Sequence, residues 1–351
     1  IKQGTGVFTL SGANTYGGGT VVNAGTLRLG ADGVLSNAGS VGLNTGTLDL
    51  AGHVETVGAV TLSSGSLIDS TFSGSGSPVS HLFAASLVSS GDSTIAAPVD
   101  STTSVLISSG SLTLGAGGNL AAPSTQLQGA QLITSAGGLL ATSMDLTVTT
   151  GATMVVGGAQ AVRSLDLAGT ISGAGTLSVS GAATLHDGTV AAALSAQTLS
   201  SNGDSRIDAP TLTSLSATVQ SGTLRIGAGG SAGTLSTPSL VLQPGTVLVT
   251  GSPARLLLAP AVQVGVGSTL QLAGAEHIGS LNLAGTVSGT STLNVDGSVA
   301  LLAGNVGAPV SAHDLTSSGA STIGAPVASS AWATVADGHL TDQDRIRIDV
   351  D

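Results

Sequence analysis

One short unit recurs along this chain: Ser or Thr, then Leu, then any residue, then Leu, Ile or Val. Nine of its copies are spread from TLRL at Thr26 to TLNV at Thr292. Each copy alternates apolar with polar residues, which is the period of a half-buried β-strand. Clusters of Gly, Asn, Asp and Ser between the copies are typical of turns. The chain is therefore predicted to consist of many short strands joined by turns.

The spacing of the unit predicts how the strands are arranged. Neighbouring copies begin 11, 12 or 21 residues apart, and most longer gaps lie near multiples of about 11 or 22, the scale of a solenoid coil with two or three strands. We therefore predict an all-β parallel β-helix (β-solenoid) with coils of about 20–23 residues. Its inward positions are predicted to stack on their equivalents in neighbouring coils; they include Leu27, Leu29, Leu165, Leu167, Leu281 and Leu283.

The sequence also contains a longer repeat. SSGDSTIAAPV, at 89–99, returns in altered form at 200–211 and 317–327, so that Pro98, Pro210 and Pro326 are 112 and 116 residues apart. The segment that begins at Ala159 likewise returns from Ala275. A stack of coils can grow by whole blocks, because each coil needs only its two neighbours.

Composition excludes several classes of function. Hydrophobic residues make up 41% of the 351, whereas charged residues make up 8%, with a net charge of −11. Lys2 is the only lysine, so we expect neither nucleic-acid binding, which needs clustered cations, nor direct membrane insertion in this fragment. There is no cysteine, which is compatible with export through an oxidising compartment.

The N-terminal stretch TGVFTLSGANTYGGGTVVNAGTLRLG, at 5–30, resembles the passenger-associated transport repeat of bacterial autotransporters. The rest of the chain is similar to the looser repeats of large autotransporter and filamentous-haemagglutinin-like adhesins. This resemblance implies a right-handed β-helix that is secreted to the extracellular side of the bacterial cell surface. It also implies attachment to the outer membrane through a C-terminal region outside this fragment.

On this basis the chain is predicted to contain five blocks. Residues 1–50 carry the transport repeat, 51–158 and 159–274 are the first and second long blocks, 275–330 are a truncated third block, and 331–351 are a cap or a junction to another module. In the last block, DRIRIDV still alternates, with Ile346, Ile348 and Val350 on one side.

Two motifs suggest catalysis, but a structural interpretation is favoured for both. SGSGSP, at 73–78, resembles the nucleophile motif of serine-protease autotransporters and would make Ser75 the nucleophile. His53 is the only histidine before it, and the chain upstream is too short for a catalytic domain. Asp204 and Asp208, with Arg206 between them, are the nearest approach to the paired carboxylates of a glycan-active enzyme. An exposed strand and its turn is the preferred interpretation of this second motif.

Metal binding is not favoured either. GADG at Gly30, GDS at Gly91 and NGDS at Asn202 place Asp in glycine-rich turns, as some calcium sites do, but Asx-type turns are the better interpretation. The histidines show no metal-ligand spacing; they are His53, His81, His186, His277, His313 and His339. The sequence therefore predicts no catalytic, cofactor-binding or metal-binding residue.

The favoured function is that of a structural and adhesive passenger segment that mediates adhesion or cell–cell aggregation. Its partner would be a second copy of itself, or a glycan or protein receptor on a host or cell surface. A subunit of a self-assembling extracellular fibre is the first alternative, and a glycan-active β-helix enzyme is the second.

Overall fold

The structure is a computed structural model that describes residues 1–74, 79–337, 340–342 and 346–348. It is an all-β parallel β-solenoid of about 17 turns, spaced about 19 residues apart, which confirms the predicted fold class. The chain divides into two compact units, Ile1–Ser180 and Gly181–Asp351. The predicted block boundaries at residues 50, 158, 274 and 330 stay predictions.

The strands are short, and most contain two to five residues. Those of the first unit are β1 (Val7–Leu10), β2 (Thr20–Val22), β3 (Thr26–Leu29), β4 (Val41–Leu43), β5 (Thr47–Asp49), β6 (Val54–Leu62), β7 (Ser66–Ile68), β8 (His81–Ser89), β9 (Ser93–Ala96), β10 (Pro98–Ser101), β11 (Val105–Ile107), β12 (Ser111–Leu114), β13 (Asn119–Ala121), β14 (Ser124–Leu127), β15 (Gln131–Thr134), β16 (Leu139–Leu140), β17 (Asp145–Val148), β18 (Thr153–Val156), β19 (Ala159–Val162), β20 (Ser164–Leu167), β21 (Thr170–Ser172) and β22 (Thr176–Val179).

The second unit continues the same pattern and adds one 3-10 turn at Ala228–Gly230. Its strands are β23 (Ala182–His186), β24 (Thr189–Val190), β25 (Ala193–Asn202), β26 (Ser205–Ile207), β27 (Pro210–Val219), β28 (Thr223–Ile226), β29 (Thr234–Ser236), β30 (Ser239–Leu242), β31 (Val247–Thr250), β32 (Leu256–Leu257), β33 (Ala261–Val264), β34 (Thr269–Leu272), β35 (Glu276–Ile278), β36 (Ser280–Leu283), β37 (Thr286–Gly289), β38 (Leu293–Leu302), β39 (Asn305–Gly307), β40 (Val310–Ser318), β41 (Ser321–Ile323), β42 (Val327–Asp337), β43 (Leu340–Asp342) and β44 (Ile346–Ile348).

A typical turn contains three strands before the chain returns to its starting sheet. In the first unit β12, β13 and β14 form one turn, and β15 then pairs in parallel with β12. In the second unit β34, β35 and β36 do the same before β37 pairs with β34. Within each unit we call these three positions face 1, face 2 and face 3. Long strands such as β8 and β38 continue from face 2 into face 3.

The core of each unit is a set of stacked aliphatic side chains, as predicted. In the second unit Leu281 pairs with Val262 of the preceding turn and Val299 of the following turn, and all three are buried. Burying one such side chain stabilises the fold by about 1.5–3 kcal/mol. All six leucines predicted to point inward are buried, and none is more than 3% exposed.

Turn length varies because residues can be added at the corners without disturbing the stack. Thr153 pairs with Thr170, 17 residues later, whereas Ser66 pairs with Thr94, 28 residues later. The average of about 19 is therefore slightly shorter than the predicted coil.

The three copies of the long repeat share one unusual corner. Each places two serines inside the core, on either side of a turn such as the one at Gly91. A Cβ atom at Gly91 would lie 1.7 Å from the carbonyl oxygen of Ser63, so only glycine fits between these turns. The hydroxyls of all six inward serines are buried and lack a hydrogen-bond partner in the described structure; they belong to Ser89 and Ser93, Ser201 and Ser205, and Ser317 and Ser321.

Candidate functional site

The motif that resembles a serine-protease nucleophile cannot be placed in the fold. Ser75 and Pro78 lie outside the described residues, and so does His339. His53, the upstream histidine, has Nδ1 3.0 Å from the Oδ1 atom of Asp32. The structure therefore brings His53 to a carboxylate on the preceding turn.

The carboxylates of the three glycine-rich corners bind the backbone of the following turn. Asp92 accepts hydrogen bonds of 2.9 Å from both the N–H and the hydroxyl of Ser111. Asp204 accepts the N–H of Thr223 at 2.9 Å, and Asp32 accepts the N–H of Val54 at 3.1 Å. The predicted Asx-type turns are thus replaced by hydrogen bonds between turns, which tie successive corners together.

The candidate carboxylate pair of β26 is occupied by structural contacts. Arg206 Nε lies 2.5 Å from Asp208 Oδ2, while the other carboxylate oxygen of Asp208 accepts the hydroxyl of Ser231 at 2.7 Å. Asp204 binds the backbone of Thr223 instead. The two carboxylates thus have separate partners.

Surface histidines in the described part of the chain each contact a single carboxylate. His277 contacts Asp296 on the next turn, and His313 Nδ1 lies 3.1 Å from Asp314 Oδ2. Both imidazoles are exposed. Among the described residues no group of three His, Cys, Asp or Glu side chains could hold a metal ion.

Sequence reasoning missed three separate buried polar clamps, each at the start of face 2 on its own turn; their side chains are Glu55, Gln160 and Glu276. Glu276 Oε2 accepts the backbone N–H groups of Arg255 and Leu256, both at 2.9 Å. Glu55 accepts those of Val34 and Leu35 at 2.8 and 3.0 Å. In each clamp the inward side chain holds the irregular backbone of the preceding turn.

Gln160 shows how an uncharged side chain fills the same role. Its amide oxygen accepts the N–H of Leu140 at 2.9 Å, and its amide nitrogen donates to the carbonyl of Gly138 at 2.7 Å. Gln160 and Glu276 are 116 residues apart, like the repeated segments that carry them. The long repeat therefore contained the sequence signal for these clamps, because a polar residue recurs there at the same inward position.

Burial raises the pKa of Glu276, and hydrogen bonds from Leu256 and Arg255 offset this effect only in part. The pKa of Glu55 is raised for the same reason. Raised carboxyl pKa values often occur at catalytic sites, but both of these side chains are buried and bind backbone N–H groups. Their arrangement suits structural support of the preceding turn.

A second carboxylate network was also missed, on face 1 of the first unit. Asp49 lies 2.8 Å from Arg28 and accepts the N–H of Ser70 at 2.9 Å. Asp69 accepts the hydroxyls of Thr71 and Ser80 at 2.6 and 2.8 Å. Burial opposes ionisation of both carboxyls, but these hydrogen bonds outweigh it and lower their pKa values.

The first turn of the chain encloses an open cavity of about 380 Å³. Its apolar lining includes Phe8, Leu10 and Leu27, and Tyr16 and Thr20 contribute hydroxyls that lie 2.7 Å apart. Phe8 pairs with Leu27, so it occupies a core position of the stack, yet it is 54% exposed.

Asn14 connects this first turn to the second. Its backbone N–H and its side-chain amide both donate to the carbonyl oxygen of Val34, at 3.2 and 2.8 Å. Asn14 and Tyr16 form the Asn-Thr-Tyr turn of the resemblance seen in the sequence. The residues that carry that resemblance thus have defined structural roles.

Comparison with known families agrees with this N-terminal geometry. Residues 1–29 match the model of the passenger-associated-transport-repeat family. No curated protein and no solved structure matches the chain.

The passenger-associated transport repeat and the β-solenoid together are consistent with an autotransporter passenger domain. That family implies a secreted, cell-surface protein. In the described part of the chain, no helix has the length and apolar character needed to cross a bilayer.

Proposed function

We propose that this chain is an adhesive passenger segment that promotes cell–cell aggregation through the outward side of face 1. The observation that carries this proposal is a ladder of hydroxyl side chains on successive turns. In the first unit the ladder contains Thr26, Thr47, Ser66, Thr94 and Thr113, which pair in register from β3 to β12. Adjacent members are about 4.8 Å apart, the spacing of hydrogen-bonded strands.

The second unit carries a similar ladder on its own face 1. It runs through Thr223, Val247, Thr269, Thr286 and Asn305, so that hydroxyl or amide groups occupy four of five successive positions. None of these polar side chains makes a hydrogen bond to another described group. Each therefore retains its donor and acceptor capacity for an external surface.

The chemistry of face 1 favours many equal contacts over a single strong one. Hydroxyl groups can both donate and accept, so one ladder is complementary to another copy of the same ladder. A net charge of −11 spread over 351 residues places little like-charge repulsion at such a contact. The affinity between two cells would then be a sum of weak contacts made by many displayed copies.

The test measures how fast cells that display the chain aggregate and settle. A generic outer-membrane anchor attaches the chain to these cells. A single Thr94→Ala variant should aggregate as the parent does, whereas replacing all five ladder hydroxyls of the first unit by Ala should slow settling strongly. The matched control replaces Thr61, Gln126 and Thr147, which point outward on face 3 of the same unit. Unchanged settling of the five-fold variant, or loss through Thr94→Ala alone, would contradict the proposal.

End-to-end assembly into a fibre is the alternative function, because a stack of coils grows by adding turns at its ends. Light scattering of the purified chain distinguishes the two candidates. Growth into filaments would favour the fibre, and a monomer that still aggregates displaying cells would favour the adhesive segment.

A glycan-active enzyme would depend on Asp204 and Asp208. Their backbone, hydroxyl and guanidinium partners support a structural role, which is what we propose for them. Incubation of the purified chain with panels of glycans and peptides tests this point. Turnover that disappears in Asp204→Ala or Asp208→Ala would overturn the non-enzymatic proposal.

A further inference from the structure

The second unit has a surface groove at the edge where face 3 turns into face 1. It has a volume of about 410 Å³, which falls in the range of ligand sites. One side consists of outward residues of face 3, Val241, Gln263 and Asn282, which are directly in register on three successive turns. Pro244 and Val266 also line the groove.

Small residues make the floor of this groove. Equivalent positions at the end of face 3 are occupied, on four successive turns, by Gln243, Gly265, Ala284 and Leu302; the first three directly follow a strand, and Leu302 is the last residue of β38. A Cβ atom at Gly265 would lie 2.7 Å from the carbonyl oxygen of Leu242 and 3.1 Å from the nitrogen of Pro244, so this position requires glycine. Gln243 and Leu302 therefore stand at the two ends of a depression over Gly265 and Ala284.

The polar groups of the groove are three primary amides with no protein partner. The side chains of Gln243, Gln263 and Asn282 make no hydrogen bond to any other described group. Each amide offers two donors and one acceptor oxygen. The apolar groups beside them are exposed: Val266 by 68% and Leu302 by 48%. No ionisable residue is among the described residues that line the groove.

We infer that this groove binds a neutral oligosaccharide. Amides hydrogen-bond neighbouring hydroxyls of a sugar as donor and acceptor together, while Val266, Pro244 and Leu302 pack against its C–H groups. A charged glycan would lose hydration without gaining an opposite charge. The groove lies on the second unit and uses none of the five first-unit hydroxyls, so this inference stands apart from the proposed aggregation.

The test uses the purified chain on an array of neutral oligosaccharides of glucose, galactose and mannose, printed beside sialylated and sulfated ones. Binding to at least one neutral oligosaccharide is expected. Gln263→Leu and Asn282→Ala should each weaken it about tenfold, the loss expected for an unmade neutral hydrogen bond. Gln271→Leu, an outward substitution on face 1 of the same unit, is the matched control and should leave binding unchanged.

Three outcomes would overturn the inference: no binding to any neutral oligosaccharide, binding only to acidic ones, or equal binding by the parent and both groove variants. Circular dichroism checks that the variants are folded, and Ala284→Met, which fills the floor while keeping both amides, is a second way to block the groove. The five-fold ladder variant separates the two proposals, because it should lose aggregation and keep oligosaccharide binding.

Discussion

The buried clamp of Glu276 leads to a prediction whose size follows from the structure. In Glu276→Ala the backbone N–H groups of Arg255 and Leu256 lose their acceptor while they stay buried. An unsatisfied buried donor costs about 1–3 kcal/mol, so two of them should lower the local free energy of unfolding by about 2–6 kcal/mol. Glu276→Gln keeps one acceptor oxygen, as Gln160 does in the first unit, and should lose about 1 kcal/mol.

Hydrogen exchange at the amides of Arg255 and Leu256 measures this effect where it arises, since an array of repeats need not unfold in a single step. Glu276→Ala should raise the exchange rates of these two amides by more than tenfold and leave those in the first unit unchanged. Equal protection in the parent and Glu276→Ala would refute the reasoning, because the clamp would then contribute nothing to the stability of this turn.

The raised pKa of Glu276 adds a dependence on pH with a definite sign. A carboxyl whose pKa is higher in the folded state favours folding below its unfolded value, and this contribution is lost as the pH rises through the folded value. Local protection of the parent, corrected for intrinsic exchange, should therefore fall as the pH rises above about 4.5. Glu276→Gln should lack this fall, and a parent profile as flat as that of the variant would contradict the burial effect.

Three further predictions concern single side chains. Leu281→Asp should disrupt circular dichroism and protease resistance, because a buried unpaired carboxylate costs several kcal/mol, whereas Asn282→Asp, on the exposed side of the same strand, should be tolerated. Ser205→Ala should raise the local free energy of unfolding by about 1 kcal/mol, measured by hydrogen exchange, since it removes a buried hydroxyl without a partner; a loss of stability would contradict this. Arg163 lowers the pKa of Asp145 to about 2, and carboxyl NMR of Arg163→Ala should show this pKa rising toward 3.8. In the parent the ion pair should persist above about pH 4 and be lost as the pH falls toward 2. An unchanged pKa in the variant would exclude the pair as the cause.

Much of the fold could be predicted because the strand pattern is local. The alternation in SLNL marks Leu281 and Leu283 as inward, and both are buried. The GDS corner at Asp92 was expected to form its own turn, but its carboxylate binds Ser111 in the next turn. The partner of Asp92 depends on which residues of the next turn lie beside it. Because the length of the turns varies, this register could not be predicted from the sequence.

The sequence by itself determined the β-solenoid, its inward leucines and the resemblance of its N-terminal stretch to the transport repeat, because each of these depends on residues close together in the chain. Only the tertiary structure decided the contacts between turns: the clamp of Glu276 on Arg255, the register of the face 1 hydroxyls, and the groove over Gly265 and Ala284. The physical reason is that parallel pairing brings together residues 17 to 28 positions apart. The length of each corner sets that register, and this length varies from turn to turn.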